Sequence, residues 1–169
     1  GEGPLLGRPG PASGGARRLF SCPENIALSN FSIPFIRDGA SHLAVEGECP
    51  DVAWREGGYL FIVTPKAMNI LEANHAVQVA NGVEAILLTP AQLKERFPSM
   101  RVDDLGGGVH SPRDGWCDPS SLLQGFRKKA RSLGVEYLKD RVVALAASGA
   151  ALATATLESG ATLAADAFV

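Results

Sequence analysis

The 169-residue chain contains 46% hydrophobic and 20% charged residues, and its formal net charge is −2. This length is enough for a domain with a hydrophobic core, and the charge gives no basis for a nucleic-acid partner or an anionic membrane. The longest uncharged run, 142–157, has 16 residues and is shorter than the roughly 20 that a transmembrane helix needs.

Cysteines and histidines are scattered along the chain. The cysteine number is odd and no Cys-x-x-Cys pair occurs, so we expect no disulfide framework, and a reducing compartment fits better. The histidines have no metal-ligand spacing with one another or with the cysteines, so we expect no metal. These residues are Cys22, Cys49, Cys117, His42, His75 and His110.

The first part of the chain changes from a glycine- and proline-rich segment to regular elements. Residues 1–16 contain six glycines and three prolines, which predicts a flexible segment. Apolar residues at near-helical spacing then predict a helical region over 23–46, with Pro34 as a kink or break. Residues 53–64 favour a strand, in which Gly57 and Gly58 form a bulge or tight turn.

The middle of the chain interleaves helices and strands. A helix over 65–80 is expected to be capped by Thr64, and a second helix over 90–97 to be opened by Thr89. The apolar run 83–88 predicts a short strand. Residues 105–111 are a glycine-rich strand or loop.

A strongly signalled helix begins after Asp118, whose carboxylate suits the N-cap, and Gly134 is placed to end it. One stripe of this helix is apolar and predicts the packed face: Leu122, Phe126, Ala130 and Leu133. The basic residues of its second half indicate a solvated surface. Residues 135–138 and 141–145 are expected to be extended, as half of a crossover unit.

The last segment predicts a hairpin. Residues 151–157 and 161–165 alternate around a Glu-Ser-Gly turn, and residues 165–169 lead toward another buried strand. The residues thus predict a mixed α/β fold with interleaved helices and strands, and both ends of the chain appear cut.

Two glycine-rich stretches are candidates for anion sites. Gly106–Gly108 lacks the spacing of either phosphate-binding glycine motif, so we expect a structural role. Ser13, Gly14, Gly15, Ala16 and Arg17 combine exposed backbone N–H groups with a guanidinium, which suits a pyrophosphate or another anion. A flexible linker is the competing interpretation of this segment.

Four stretches resemble the FAD-dependent oxidoreductases of the D-amino-acid oxidase and sarcosine oxidase family. They are "SGGARRLFSCPENIALSNFS", "REGGYLFIVT", "LLTPAQLKERFPSM" and "GGGVHSPRDGWCDPSSLLQGFRKKARSLGVEYL". The last is the most specific, because several fixed spacings agree at once. The resemblance covers about 12–169 and is greatest to the branch of FAD-dependent oxidoreductase domain-containing proteins.

This resemblance implies the central fragment of a two-domain fold. Residues 17–133 would belong mainly to the substrate domain, and residues 134–169 to the sheet of the FAD-binding domain. Ser13 to Arg17 would lie near the flavin and its phosphates, and Val142, or Val143 after a one-residue slip, against the adenine. Tyr59 would belong to the sheet that roofs the substrate pocket.

The implied activity is oxidation of a C–N bond in a small amine or amino acid, with FAD as the cofactor of the complete protein. Arg17, Arg37 and Arg55 are candidates by charge for a substrate carboxylate, and no catalytic residue is assigned. Because Gly-x-Gly-x-x-Gly is absent, we expect this piece alone to bind FAD weakly or not at all. The alternative is a non-catalytic binding module with a respiratory-chain partner. The compartment, cytoplasmic or mitochondrial, stays open.

Overall fold

The structure, a computed structural model, describes residues 13–149 and 151–168. The chain divides into two compact units, Gly1–Ser132 and Leu133–Val169. This division lies one residue from the boundary that the sequence predicted between 133 and 134. Assigning the units to a substrate domain and an FAD-binding domain stays a prediction. Within the described ranges, every helix is too short or too polar to cross a membrane.

The described part of the first unit interleaves helices with short strands. The helices are α1 (Pro23–Arg37), α2 (Ala40–Leu43), α3 (Met68–Ala80), α4 (Pro90–Arg96) and α5 (Pro119–Ser132). The strands are β1 (Gly15–Ala16), β2 (Arg55–Glu56), β3 (Tyr59–Val63), β4 (Ile86–Leu88), β5 (Gly107–Ser111) and β6 (Gly115–Trp116). The mixed α/β class expected from the sequence is confirmed. Of the segment predicted to be flexible, residues 1–12 lie outside the described ranges, and Gly15–Ala16 form β1.

These strands build two antiparallel sheets, with the orders β1-β6-β2 and β3-β5-β4. The pair Gly57 and Gly58 connects them, because β2 and β3 belong to different sheets. Gly58 has a φ of +74°, a conformation that suits glycine. The single strand expected over 53–64 is therefore two strands, and the glycines mark the passage between sheets.

The strand β5, which begins within the glycine-rich run at Gly107, is fully buried. An added β-carbon on Gly108 would lie 2.7 Å from the backbone oxygen of Phe61. The absence of side chains in this part of β5 thus permits close packing beside β3. The core around β5 contains Leu19, Leu71 and Val109, with the partly buried Tyr59, Val63, Met68 and Ala85 packed against it.

Two Thr-Pro dipeptides open helical segments in different ways. Thr89 and Gln92 form a capping box, in which each side chain binds the backbone N–H of the other residue. Thr64 makes no side-chain cap hydrogen bond. The segment after it begins as a 3₁₀ turn, Pro65–Ala67, before α3. The predicted cap is therefore confirmed at Thr89 and wrong at Thr64. In α1, Pro34 lies inside the helix, which continues to Arg37.

The ends of α5 agree with the sequence, and its predicted apolar stripe is partly packed, since Leu122 and Ala130 are half-buried. The Asp118 carboxylate accepts hydrogen bonds from the Ser120 N–H at 2.9 Å and the Ser121 hydroxyl at 2.7 Å. Gly134 follows the helix with a φ of +90°. Phe126 and Leu133, however, are 47% and 73% exposed. The buried position is Gly125, because the absence of a side chain lets Pro50 and Leu43 approach the helix.

The second unit contains β7 (Val142–Ser148), β8 (Ala151–Leu157) and β9 (Thr162–Ala164), which pair antiparallel in that order. The predicted hairpin of β8 and β9 is confirmed. Two expectations are wrong, because residues 135–138 and 165–168 form no strand. The described strands of this unit pair antiparallel, and the crossover unit stays a prediction. Residue 169, the end of that last predicted strand, lies outside the described ranges.

Candidate functional site

The candidate anion-binding segment, Ser13 to Arg17, is held by β6. Gly15 lies opposite Trp116, and Ala16 lies opposite Gly115. The Trp116 indole N–H donates to the Ser13 backbone oxygen at 2.6 Å. The Cys117 N–H donates to the Gly14 oxygen at 2.9 Å. In the structure, the segment is therefore an ordered strand edge.

The other edge of β1 has no neighbouring strand among the described residues. In antiparallel sheets, hydrogen-bonded pairs alternate with pairs whose backbone groups are directed outward. Gly14 and Cys117 exchange a hydrogen bond, so the next pair, Gly15 and Trp116, is of the outward-directed kind. The Gly15 N–H is thus available to an acceptor at the outer edge.

Close packing requires both glycines of the segment. A β-carbon on Gly14 would overlap the Cys117 backbone oxygen, and Gly14 has a φ of +69°. A β-carbon on Gly15 would overlap the Tyr59 hydroxyl. Tyr59 begins β3, so the segment also lies against the sheet that the sequence associated with the substrate pocket.

Arg17 contributes a guanidinium whose Nε is buried without a hydrogen-bond partner. The guanidinium carbon lies 4.8 Å from the centre of the Phe20 ring and 5.5 Å from that of Phe61. Both distances suit cation–π contact, which orients the cation but satisfies none of its N–H donors. A buried donor without a partner is costly in free energy, so this position favours an anionic or acceptor ligand.

Trp54 adds a second donor of this kind, and it was not among the residues predicted from the sequence. Its indole Nε1 is buried without a partner. A β-carbon on Gly115 would lie 2.7 Å from the Trp54 ring, so the indole packs directly on β6. The sequence feature that could have indicated Trp54 is its position shortly before the pair Gly57 and Gly58.

The donors of these residues have the chemistry that a flavin or another planar acceptor requires. An outward-directed N–H, an unpartnered guanidinium donor and an unpartnered indole donor belong to the same small sheet and its flanks. Such donors match the oxygen and nitrogen acceptors of a flavin and the oxygens of its phosphates. Cofactor binding by Ser13, Gly14, Gly15, Ala16 and Arg17 stays a prediction.

Val142, the other predicted cofactor contact, begins β7 and is 51% exposed. It pairs with Leu157, and the register then shifts before Ala144. Val143 is therefore the extra residue of a bulge, which leaves it outside the regular ladder. The one-residue uncertainty between Val142 and Val143 coincides with this irregularity. The adenine contact stays a prediction.

The other arginine candidates have different surroundings. Arg37 forms an exposed ion pair with its neighbour Asp38 at 3.0 Å. Arg55 lies on β2, with β6 between it and β1. Neither therefore matches Arg17, which lies on the same segment as the open strand edge.

His110 is a buried polar residue in β5, on the sheet that contains Tyr59. Burial lowers the pKa of its imidazole, the charge of Arg96 lowers it further, and Asp114 opposes both effects. Its Nδ1 has no hydrogen-bond partner. The ring packs edge-on against Phe97, with 5.7 Å between ring centres. His110 is therefore suited to remain neutral in the folded protein.

A surface cavity of about 370 Å³ lies elsewhere in the first unit, between α2, the segment 48–51 and α5. Its lining includes Leu43, Cys49, Pro50, Ser121 and Lys128. None of the predicted cofactor-binding residues lines it. The cavity therefore does not identify the candidate site.

Comparison with known proteins identifies the family of the chain. The profile of the DAO family, described as FAD dependent oxidoreductase, matches residues 8–169. The chain is 39% identical over 126 residues to FAD-dependent oxidoreductase domain-containing protein 1 of Xenopus laevis, covering 73% of this chain and 25% of that protein. It is 31% identical over 91 residues to mitochondrial sarcosine dehydrogenase of Mus musculus, covering 53% and 10%.

The fold is similar to that of L-proline dehydrogenase from P. horikoshii, with a TM-score of 0.75 and 20% identity. This similarity covers 88% of this chain and 38% of that structure. The chain spans about a quarter to a third of the length of FAD-dependent oxidoreductase domain-containing protein 1 from Xenopus laevis, Bos taurus and Mus musculus. Because the family profile covers nearly the whole sequence, the chain belongs to the DAO family of FAD-dependent oxidoreductases.

Proposed function

We propose that the chain is part of an enzyme that oxidises a C–N bond of an amine or amino acid. FAD, when bound, supplies the two-electron acceptor for this chemistry. Family membership supports the cofactor, and the sequence similarity to sarcosine dehydrogenase supports a small N-containing substrate. The observation that most directly supports the proposed site is the buried Nε of Arg17, which has no hydrogen-bond partner and lies beside an open strand edge.

The residues of the chain have distinct roles in this proposal. The Gly15 N–H and the donors of Arg17 and Trp54 bind and orient the acceptor edge of the cofactor. Phe20 and Phe61 hold the Arg17 guanidinium from its faces, so that its edge remains available. Tyr59 closes the space beside Gly15 and excludes water from it.

Arg17 is also the preferred partner for a substrate carboxylate. Arg37 already binds Asp38, and Arg55 lies on the far side of β6. A guanidinium binds a carboxylate through paired N–H donors, which a neutral amine substrate does not require. The two roles of Arg17 predict different kinetic defects and are separable by experiment.

The test uses the full-length protein in which this chain occurs. Purified protein is expected to bind FAD and to reduce a redox dye when supplied with N-methyl amino acids, amino acids or amines. The variant Arg17→Met keeps the apolar contact with Phe20 and removes the donors. A role in carboxylate binding predicts a raised KM for carboxylate-bearing substrates alone, whereas a role in cofactor binding predicts weaker FAD affinity.

Two results would contradict the proposal in different ways. Absence of FAD binding by the full-length protein would exclude a flavoenzyme. Tight FAD binding without reduction by any C–N substrate would instead favour the non-catalytic binding module. In that second case, the dye-reduction assay needs a known amine-oxidising flavoenzyme as its positive control.

A further inference from the structure

Asp114, in the turn between β5 and β6, connects three segments of the first unit. Its side chain is fully buried. One carboxylate oxygen accepts from the Arg18 backbone N–H at 2.8 Å, and the other accepts from the Arg18 guanidinium at 3.0 Å. Its backbone oxygen accepts from the Gly58 N–H at 2.8 Å. Asp114 therefore holds both the residue after Arg17 and the residue before Tyr59.

Arg18 is also fixed from other directions. Its Nη1 donates to the Arg113 oxygen at 3.2 Å, and its Nε donates to the Asn30 side-chain oxygen at 3.0 Å. Asn30 lies on α1 and donates to the Asn81 oxygen at the end of α3. The Arg18 side chain is only 12% exposed, so the ion pair between Arg18 and Asp114 is almost completely shielded from water. Removal of one partner would leave a buried, uncompensated charge.

The anchoring of Arg18 determines the position of Arg17. The Arg18 N–H belongs to the peptide group that joins it to Arg17, so its hydrogen bond to Asp114 fixes the backbone from which the Arg17 side chain extends. Arg18 is held at its backbone and at its guanidinium, whereas Arg17 has ring contacts and an unpartnered Nε. Phe20 is also held, because its backbone oxygen accepts from the Gln78 side chain at 3.2 Å.

We propose that Asp114 is a positioning residue for the cofactor edge, acting through Arg18 on the Arg17 guanidinium and on the outer edge of β1. This inference rests on the proposed function. In it, Asp114 does not contact the cofactor. Its role is to keep the Arg17 donors aligned before the cofactor binds, so that binding requires no rearrangement of β1.

The test compares Asp114→Asn with a matched control in the full-length protein. Asp114→Asn removes the charge and one acceptor, and a misplaced binding group costs roughly tenfold to a hundredfold. We expect a rise of that size in the FAD dissociation constant, measured by quenching of flavin fluorescence. The control Glu84→Gln breaks the exposed Arg113–Glu84 ion pair, 2.8 Å long, which involves the adjacent residue of the same turn. This control should leave the FAD dissociation constant within about twofold of the wild-type value, because exposed ion pairs contribute little to stability.

A double-mutant cycle separates positioning from a purely structural role. If Asp114 acts through Arg17, then Asp114→Asn should weaken FAD binding far less in an Arg17→Met background than in the wild type. The fall in unfolding temperature caused by Asp114→Asn should be the same in both backgrounds. Equal losses of FAD affinity in the two backgrounds, or no loss in a folded variant, would overturn the inference.

A milder variant covers the case in which Asp114→Asn does not fold. Arg18→Lys keeps a cation for Asp114 but loses the fork that also binds Asn30 and the Arg113 oxygen. It should weaken FAD binding in the same Arg17-dependent way, and unchanged affinity would overturn the inference. If the wild-type protein binds no FAD, the proposed function itself fails and this inference fails with it.

Discussion

The Tyr59 hydroxyl occupies the space in which a β-carbon on Gly15 would lie. The two residues belong to different sheets, since Gly15 is in β1 and Tyr59 begins β3. Such a β-carbon would overlap the phenol oxygen but would lie 3.2 Å from the ring carbon that bears it. Gly15 is therefore required by close approach, in addition to any contact that its N–H makes with a ligand.

This contact predicts that Gly15→Ala destabilises the full-length protein by about 1–3 kcal/mol, the usual cost of overpacking. The added methyl group must displace the Tyr59 ring or move β1 away from β6. Urea unfolding followed by circular dichroism measures the change. Tyr59→Phe removes the overlapping oxygen, so adding Gly15→Ala to it should cost much less than adding it to the wild type. An equal cost in both backgrounds would contradict the assigned contact.

The two helical segments that begin at a Thr-Pro dipeptide give a second prediction, in which one segment is the control for the other. Thr89 accepts a hydrogen bond from the Gln92 N–H at 3.3 Å, and Gln92 accepts one from the Thr89 N–H at 2.9 Å. Thr89→Ala should therefore lower the free energy of unfolding by about 1 kcal/mol. Thr64→Ala should cost clearly less, because Thr64 makes no such bond. The same unfolding assay compares them, and equal costs would mean that the capping box does not stabilise α4.

The helical segments that follow Thr64 and Thr89 also show which features of the fold the sequence could predict. Local signals were sufficient where one residue satisfies its own neighbours, as Asp118 does at the start of α5 and the Glu-Ser-Gly turn does between β8 and β9. The same dipeptide at Thr64 wrongly predicted a side-chain cap, because the chain there enters a 3₁₀ turn. Side-chain periodicity was only partly sufficient in α5, because the buried position of the helix is Gly125, which has no side chain.

The candidate site was only partly predictable for a different reason. The segment Ser13 to Arg17 was found because its chemistry is continuous along the chain. Asp114 lies 96 residues from Arg18, and no local pattern connects them. Its only signal was the Pro-x-Asp-Gly run that carried the family resemblance. Trp54 reaches the site by packing on Gly115, which sheet pairing rather than sequence spacing brings close to Ala16.

Cys49 and Cys117 should differ in their reaction with thiol reagents. Cys49 is exposed, whereas Cys117 is buried and 3% exposed. Burial raises the pKa of the Cys117 thiol, and the nearby Asp118 carboxylate raises it further, so little reactive thiolate forms. In the native full-length protein, iodoacetamide should modify Cys49 readily and Cys117 only after unfolding. Peptide mass spectrometry assigns the sites, and rapid native labelling of Cys117 would contradict its burial.

The buried His110 predicts a loss of stability in mild acid. Its pKa in the folded protein lies below the ordinary value of 6.5, so between these two values the unfolded chain binds more protons. The stability contributed by neutral His110 is therefore complete above pH 6.5 and falls as the pH drops toward the folded-state pKa.

His110→Gln removes the titrating group while keeping a polar side chain. Between pH 8 and pH 5, the wild-type unfolding temperature should fall further than that of His110→Gln, because other titrating groups are common to both. Above pH 7.5 the difference between the two proteins should be constant, since His110 is then neutral in both the folded and the unfolded state. Parallel curves across the whole range would mean that His110 titrates alike in the two states, and this would contradict the lowered pKa of its imidazole in the folded protein.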